Sequence, residues 1–301
     1  MPISPLDSIA FVRKGWLPTL CWLLCSLLFT QLSAQRTGEW TPGTYMKQAL
    51  DNTYEKASLM NALSQFSWTE KLCMAGAILD VGETISLNVE LTEGVAYTFL
   101  GGGDEDVFDL DMYIVARNGE ILASDIEDDD TPIPDLIAPY TGVYSVRLQL
   151  VSANSSTCFV ALSLLSKQGF TIAEADYNQL SEKFFAAGGS IHQVSSGVKW
   201  HDVANQWSVF GFLLNNKQSI ELENLHLGAA NHYIFGSADR RVSKLDLILR
   251  DEVGQILLED VADDPYPLLE KKTAAERLYT IELTNLRCQQ RSLILVGIVT
   301  E

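Results

Sequence analysis

Carboxylates are the side chains in this chain whose spacing most nearly spells chemistry. Asp104, Glu105, Asp106, Asp109 and Asp111 crowd one stretch, and Asp125, Glu127, Asp128, Asp129, Asp130 and Asp135 crowd the next. If the fold brings the two stretches together, Asp109, Asp111, Asp125 and Asp128 are the expected ligands of a calcium ion, which takes roughly six to eight oxygens from carboxylates, carbonyls and water. The spacing matches no EF-hand loop, and aspartates at strand ends have a plainer use as acceptors for turn amides. Catalytic patterns are weaker. His192, His201, His226 and His232 all fall in the second half, without the HExxH spacing or the Cys/His cluster that zinc needs. No GxSxG elbow or phosphate loop is present. A triad could still meet in space, but the expectation is a chain that is not an enzyme.

Three cysteines follow the leader segment. Cys73 falls in the first expected strand of a module and Cys158 in its last, so a sandwich whose ends meet would allow a disulfide between them. Buried free thiols are the alternative, and Cys288 is left over, either buried and inert or a link between chains. Trp40, Trp68, Trp200 and Trp207 would stack on sugars or a partner if exposed, and pack as core if buried.

These residues are arranged by a tandem repeat. LDMYIVARNGEIL, Leu110 to Leu122, returns as LDLILRDEVGQIL, Leu245 to Leu257, and both Asp246 minus Asp111 and Tyr279 minus Tyr144 are 135. The repeat tests the ligand set. Asp111, Asp125, Asp128 and Asp129 recur as Asp246, Asp260, Asp263 and Asp264, whereas Glu105, Asp106 and Asp109 become Arg240, Arg241 and Lys244. Cations in the second copy would repel a metal, so calcium is expected in the first module alone. The same reversal suggests that the acidic loop of one module meets the basic loop of another. At this offset no tryptophan matches another: Leu72 faces Trp207, Gln65 faces Trp200 and Val203 faces Trp68.

Short alternating runs predict strands near Leu72–Leu79, Thr84–Leu91, Ala96–Leu100, Leu110–Ala116, Ile121–Asp125, Leu136–Ala138, Val143–Leu150 and Thr157–Leu164. Tyr144, Val146, Leu148 and Leu150 alternate with Ser145, Arg147 and Gln149, which gives one buried and one wet face. Arg117-Asn118-Gly119-Glu120 reads as a hairpin whose Asn-Gly supplies positive φ; its twin, Glu252-Val253-Gly254-Gln255, keeps only the glycine. Helical periodicity over Tyr45–Leu63 and over Ala173–Ala187 places a helix before each module, the second stopping at Gly188-Gly189. The fold class is therefore mainly β: two tandem jelly-roll-like β-sandwich modules, each preceded by a short helical segment.

A length of 301 residues, 47% of them apolar, supports two cores of ordinary size. A formal charge of −18 excludes nucleic acid as a partner. Arg13 and Lys14, then an apolar run from Trp16 to Phe29 and the small residue Ala34, read as an export signal cleaved before Gln35. The run is shorter than a bilayer-spanning helix needs, so no membrane span is expected after cleavage, and the product is secreted or periplasmic. The expected divisions are a signal over residues 1–34, lead-in and helix over 35–66, first sandwich over 67–168, helical linker over 169–192 and second sandwich over 193–301.

The series Gly94-Val95-Ala96-Tyr97-Thr98-Phe99, Asp109-Leu110-Asp111-Met112-Tyr113-Ile114, Asn118-Gly119, Ile121-Leu122-Ala123-Ser124 and Gly142-Val143-Tyr144-Ser145-Val146-Arg147 resembles the bacterial pre-peptidase C-terminal domain. The resemblance covers about Leu72 to Leu165, with a weaker copy from Trp207 to Val299 in which Arg277 replaces Gly142 and Lys244 replaces Asp109. It implies a jelly-roll-like accessory domain of secreted enzymes, with a role in secretion, targeting or substrate attachment and, in some members, calcium binding. The functional expectation is a secreted, non-enzymatic binding or accessory protein whose partner is an extracellular protein or polysaccharide. A carbohydrate- or matrix-binding protein using loop aromatics comes second, and a hydrolase with an unrecognised site third.

Overall fold

Alternation along the strands divides them into two kinds. In β8 (Gly142–Ala153), Tyr144, Val146, Leu148 and Leu150 are fully buried, and Arg147 between them is exposed. Such a strand has one face on a core and one in water. By contrast β11 (Val209–Leu214) is buried at every residue, as is nearly all of β18 (Ser292–Thr300). Strands apolar on both sides must be covered on both sides, and the architecture follows from that. The computed structural model describes residues 40–203 and 206–301; the export signal expected over residues 1–34 lies outside the described residues.

Helix α1 (Thr41–Leu63) leads to β1 (Ser67–Trp68), β2 (Lys71–Asp80), β3 (Thr84–Leu91), β4 (Ala96–Gly103), β5 (Val107–Val115), β6 (Ile121–Asp125), β7 (Asp135–Ile137), β8 and β9 (Thr157–Ser166). Helix α2 (Glu174–Val194) then leads to β10 (Lys199–Trp200), β11, β12 (Gln218–Leu227), β13 (Asn231–Ala238), β14 (Val242–Asp251), β15 (Ile256–Asp260), β16 (Leu268–Lys272), β17 (Arg277–Cys288) and β18. One large sheet runs β16-β13-β18-β11-β2-β9-β4-β7, with β1 on β9 and β10 on β18. Two small sheets, β3-β8-β5-β6 and β12-β17-β14-β15, complete two jelly rolls. The fold is mainly β, as the periodicity predicts.

The large sheet is continuous through both copies because β2 pairs with β11, antiparallel. Phe210 faces Ala75, its own repeat equivalent, while Val209, the equivalent of Met74, faces Gly76 and Gly211, the equivalent of Gly76, faces Met74, so the pairing maps onto itself. The sandwiches of residues 67–168 and 193–301 are thus not separate bodies on a helical linker; Trp40–Glu301 form one compact unit. Their joint core lies between the large and small sheets, and includes Phe99, Leu110, Tyr144, Val160, Leu247, Ile281 and Val296.

A second core lies on the other face of the large sheet, under the helices. Met46, Ala49, Leu50, Thr53, Tyr54 and Ala57 of α1 are buried at helical spacing. Tyr54 stacks on Tyr177 of α2 at 3.7 Å, and Tyr177 donates to Asp51 at 2.8 Å, which ties the helices together. The expected stop at Gly188-Gly189 is wrong: α2 continues to Val194. A Cβ on Gly188 would lie 2.3 Å from the Trp40 ring, so this glycine is there for close packing and not as a cap.

The tryptophans also differ from expectation. Trp68 pairs with Leu165 of β9, and Trp200 with Val299 of β18, so they are equivalents, 132 residues apart instead of 135. Both are fully buried. The Cys73–Cys158 disulfide is likewise not formed, and all three cysteines are free. Cys158 faces Leu79 at the far end of β2 from Cys73, and the two thiols lie on opposite faces of the large sheet. About six residues of strand separate them, roughly 20 Å, far beyond disulfide reach. In the β5–β6 hairpin only Gly119 has positive φ, at 87°, as has Gly254 at 80° in the twin. That is why Val253 can replace Asn118.

Candidate functional site

The acidic loops are organised first by backbone amides. Asp104 accepts from the N–H groups of Asp106 and Phe159 at 3.1 and 2.8 Å, and its twin Asp239 accepts from Arg241 and Leu293, both at 2.9 Å. Asp125 accepts from Glu127 and Ile133 at 3.2 and 2.8 Å; Asp260 does the same with Ala262 and Leu268 at 3.1 and 2.9 Å. Asp129 and Asp264 each cap the amide two residues on. These three recurring pairs of aspartates are turn caps in both copies. Asp125, one of the ligands expected for calcium, has one backbone amide on each of its oxygens.

Asp109, Asp111 and Asp128 do share a neighbourhood. One Asp109 oxygen is buried without a hydrogen-bond partner among the described residues. Burial, then the carboxylates of Asp111, Asp128 and Asp129, raises its pKa. In the second copy Lys244 stands at this position, donating to the Val261 carbonyl at 2.7 Å and lying 3.6 Å from Asp246. Among the described residues, no three His, Cys, Asp or Glu side chains gather closely enough to hold a metal ion. Among the described residues of this chain, the basic loop pairs with α2 and not with the acidic loop: Arg240 and Arg241 lie 3.2 and 3.5 Å from Asp176.

The histidines are structural in their surroundings. His201 and His232 are buried, with ring centroids 5.9 Å apart, and each places Nδ1 against the Thr300 hydroxyl, at 3.4 and 3.0 Å. Burial lowers the pKa of His201 to about 4 and that of His232 in the same direction. A hollow of about 550 Å³ opens where β2 and β9 end, but Glu83 and Asp80 in its wall are already bonded, to the Asp80 amide and the Thr157 hydroxyl, and Asp202 pairs with Lys199.

The outer faces of the small sheets are where the copies part company. On the first, Thr84, Tyr113, Val115, Ile121, Arg147 and Gln149 line a shallow hollow of about 200 Å³. Register places them together: Ser86, Arg147, Tyr113 and Ser124 form one row across β3, β8, β5 and β6, and Thr84, Gln149 and Asp111 form the next. The Tyr113 hydroxyl donates to Asp111, two residues back, at 2.8 Å. A strand residue's i−2 neighbour lies on the same face, so this bond lays the ring along β5, and the carboxylate raises the phenol's pKa. Arg147 and Gln149 make no side-chain hydrogen bond or ion pair among the described residues. In the second copy the same positions hold Ser219, Ile248, Arg250, Ile256, Glu282 and Thr284. There Arg250 pairs with Glu282, and Ser219 and Thr284 bond each other at 2.8 Å. Alternation alone marks Arg147 and Gln149 as outward residues, but it cannot show that they lack partners, and so the sequence did not single this face out.

No known protein family matches the chain, and neither does any curated protein. Partial likenesses to solved structures exist at low identity. They include the PBSX exported protein XepA, at 13% identity and a TM-score of 0.23 over 75% of this chain and 84% of that one. A conserved protein of unknown function from Pseudomonas aeruginosa gives 12% and 0.18 over 75% and 79%. YhaK from Escherichia coli gives 10% and 0.19 over 74% and 83%.

Proposed function

We propose that this chain is an exported, non-enzymatic binding or accessory protein that engages an extracellular polysaccharide or protein through the outer face of its first sandwich. The observation that carries the reading is the unequal pair of faces. Glu282 and Thr284, bonded to Arg250 and Ser219 on the second sandwich, are replaced on the first by Arg147 and Gln149, whose side chains have no hydrogen-bond partner among the described residues. A buried polar group needs a partner within the fold, whereas an exposed one left open at the centre of a four-stranded face is free to take a ligand. The leader over residues 1–34 and the resemblance to secreted accessory domains support export. Among the described residues, no helix is long and apolar enough to cross a membrane.

The test is retention of the mature chain, Gln35 to Glu301, in native gels containing polysaccharide or gelatin, compared with the Arg147→Glu variant. Retention lost in the variant is the expected result. Migration identical in all gels for both proteins would sink the reading. Turnover of any of these polymers, abolished by a substitution at His201 or His232, would instead favour a hydrolase.

A cation in the first sandwich is a lesser part of the same reading. Asp109, Asp111 and Asp128 would have to draw closer together than they stand here to hold it, where Lys244 supplies an ammonium to the second. The remaining oxygens would have to come from carbonyls or water.

A further inference from the structure

We infer that the outer face of the first small sheet is a site for a neutral glycan chain, with the Tyr113 ring as its stacking platform and Arg147 and Gln149 as its hydroxyl-reading groups; this rests on the binding reading above. A pyranose offers one face of C–H bonds and a rim of hydroxyls, each both donor and acceptor. The first sandwich presents the complement of both. Tyr113 is half-buried and held along β5 by its bond to Asp111, so the orientation of its ring is fixed before any ligand arrives. Arg147 stands beside it in the same row, and a guanidinium carries only donors in a planar fork. Gln149 and Asp111 form the adjoining row and supply acceptors, with Gln149 supplying donors as well. Ser86, Ser124 and Thr84 complete the two rows with small side chains.

Peptide ligands are less well served. An added strand requires an open sheet edge, whereas Tyr113, Asp111, Arg147 and Gln149 lie on β5 and β8, the two central strands, each paired on both sides. The hollow, about 200 Å³, is below the roughly 300 Å³ at which pockets begin to enclose a drug-sized molecule. It suits one ring, with the rest of a chain passing over the strands. Charge selects the neutral members of the class. The protein carries −18 overall, and the Asp104–Asp111 and Asp125–Asp135 loops flank β5 and β6, so a polyanion would be repelled while a single arginine is too little to hold it. The second sandwich acts as an internal control: Ile248 replaces the tyrosine, and Glu282, closed by Arg250, replaces the free arginine.

The experiment is affinity electrophoresis of the mature chain in native gels containing barley β-glucan, galactomannan, arabinoxylan, polygalacturonate or gelatin. Retardation is expected in at least one neutral polysaccharide, with affinity falling about tenfold or more in Tyr113→Ala, the equivalent of roughly 1.4 kcal/mol. A smaller loss is expected in Arg147→Ala and Gln149→Ala, and none in Ile248→Ala. Should Tyr113→Ala fail to fold, the Arg147 and Gln149 variants read the same site. Migration unaffected by all three neutral polymers overturns the inference. So does retardation that survives Tyr113→Ala and Arg147→Ala together, or retardation by polygalacturonate alone. Retardation by gelatin alone, lost in Tyr113→Ala, overturns the glycan while leaving the binding function in place.

Discussion

The outer faces of the two small sheets occupy the same positions in the same fold, yet one is closed on itself and the other is open. Four exchanges account for it: Tyr113 against Ile248, Val115 against Arg250, Arg147 against Glu282, and Gln149 against Thr284. The inner faces show no such divergence, with Leu110, Met112, Tyr144 and Val146 answered by Leu245, Leu247, Tyr279 and Ile281, all buried. A sandwich needs its inner face conserved in size and polarity if it is to pack, but its outer face is unconstrained by folding. A difference on that side therefore points to use and not to architecture.

The comparison can be pressed hardest where the halves should be alike. Trp68→Ala and Trp200→Ala each empty a fully buried site and should each cost about 3–5 kcal/mol, read as a shift of the urea midpoint. Milder substitutions separate them. The Trp200 indole donates to the Pro42 carbonyl at 2.8 Å, whereas that of Trp68 has no acceptor among the described residues. Trp200→Phe is accordingly expected to cost about 1 kcal/mol more than Trp68→Phe.

Acid should distinguish the halves next. His201, with His232, His226 and Asp202 around it, has a folded-state pKa lowered from 6.5 to about 4. The unfolded chain therefore takes up its proton first, so this contribution is whole above about pH 6.5 and is lost as pH falls towards about 4, on the order of 3 kcal/mol. The first copy has Thr69 and Tyr97 in the places of His201 and His232. His201→Gln should flatten the wild-type loss of stability over that window; an unchanged slope would remove the histidine pair from the explanation.

Grafting tests the faces themselves. Ile248→Tyr, Arg250→Val, Glu282→Arg and Thr284→Gln together should create a second glycan site, doubling the stoichiometry on β-glucan fragments in titration calorimetry without changing the affinity of the first. The smallest effect lies at Asp109. Asp109→Lys imports the second copy's arrangement and should raise stability by up to about 1 kcal/mol, as exposed or half-exposed charge pairs do. Millimolar Ca²⁺ should raise the wild-type thermal midpoint by about 1–2 °C over chelator and leave Asp109→Lys unmoved.

Most of the fold was legible because the strands obey the two-residue period: the runs read at Thr84–Leu91 and Ile121–Asp125 are the observed β3 and β6. What escaped was longer in range. The β2–β11 joint is invisible locally, since an apolar run such as Val209–Leu214 reads the same whether its neighbour is in its own module or the other. The equivalence of Trp68 and Trp200 was hidden by a change of offset outside the sandwiches. Gly188 looked like a helix stop because the Trp40 ring that requires it lies far away in sequence. The candidate site was half legible: the acidic residues were found, and Asp104, Asp125 and Asp129 among them prove to be turn caps, while Arg147 and Gln149 were read only as a wet face.

The self-mapping register of β2 on β11 has one more consequence. An interface in which residue i meets j and j meets i is the signature of two identical subunits around a twofold axis, and here the axis falls at Ala75 and Phe210 of a single chain. The molecule has the form of a homodimer whose subunits have been fused end to end. While two subunits come from one gene, every change must appear in both; once they are joined, each half can change alone. One sandwich has filled its surface with its own ion pair, and its sister has left that surface open.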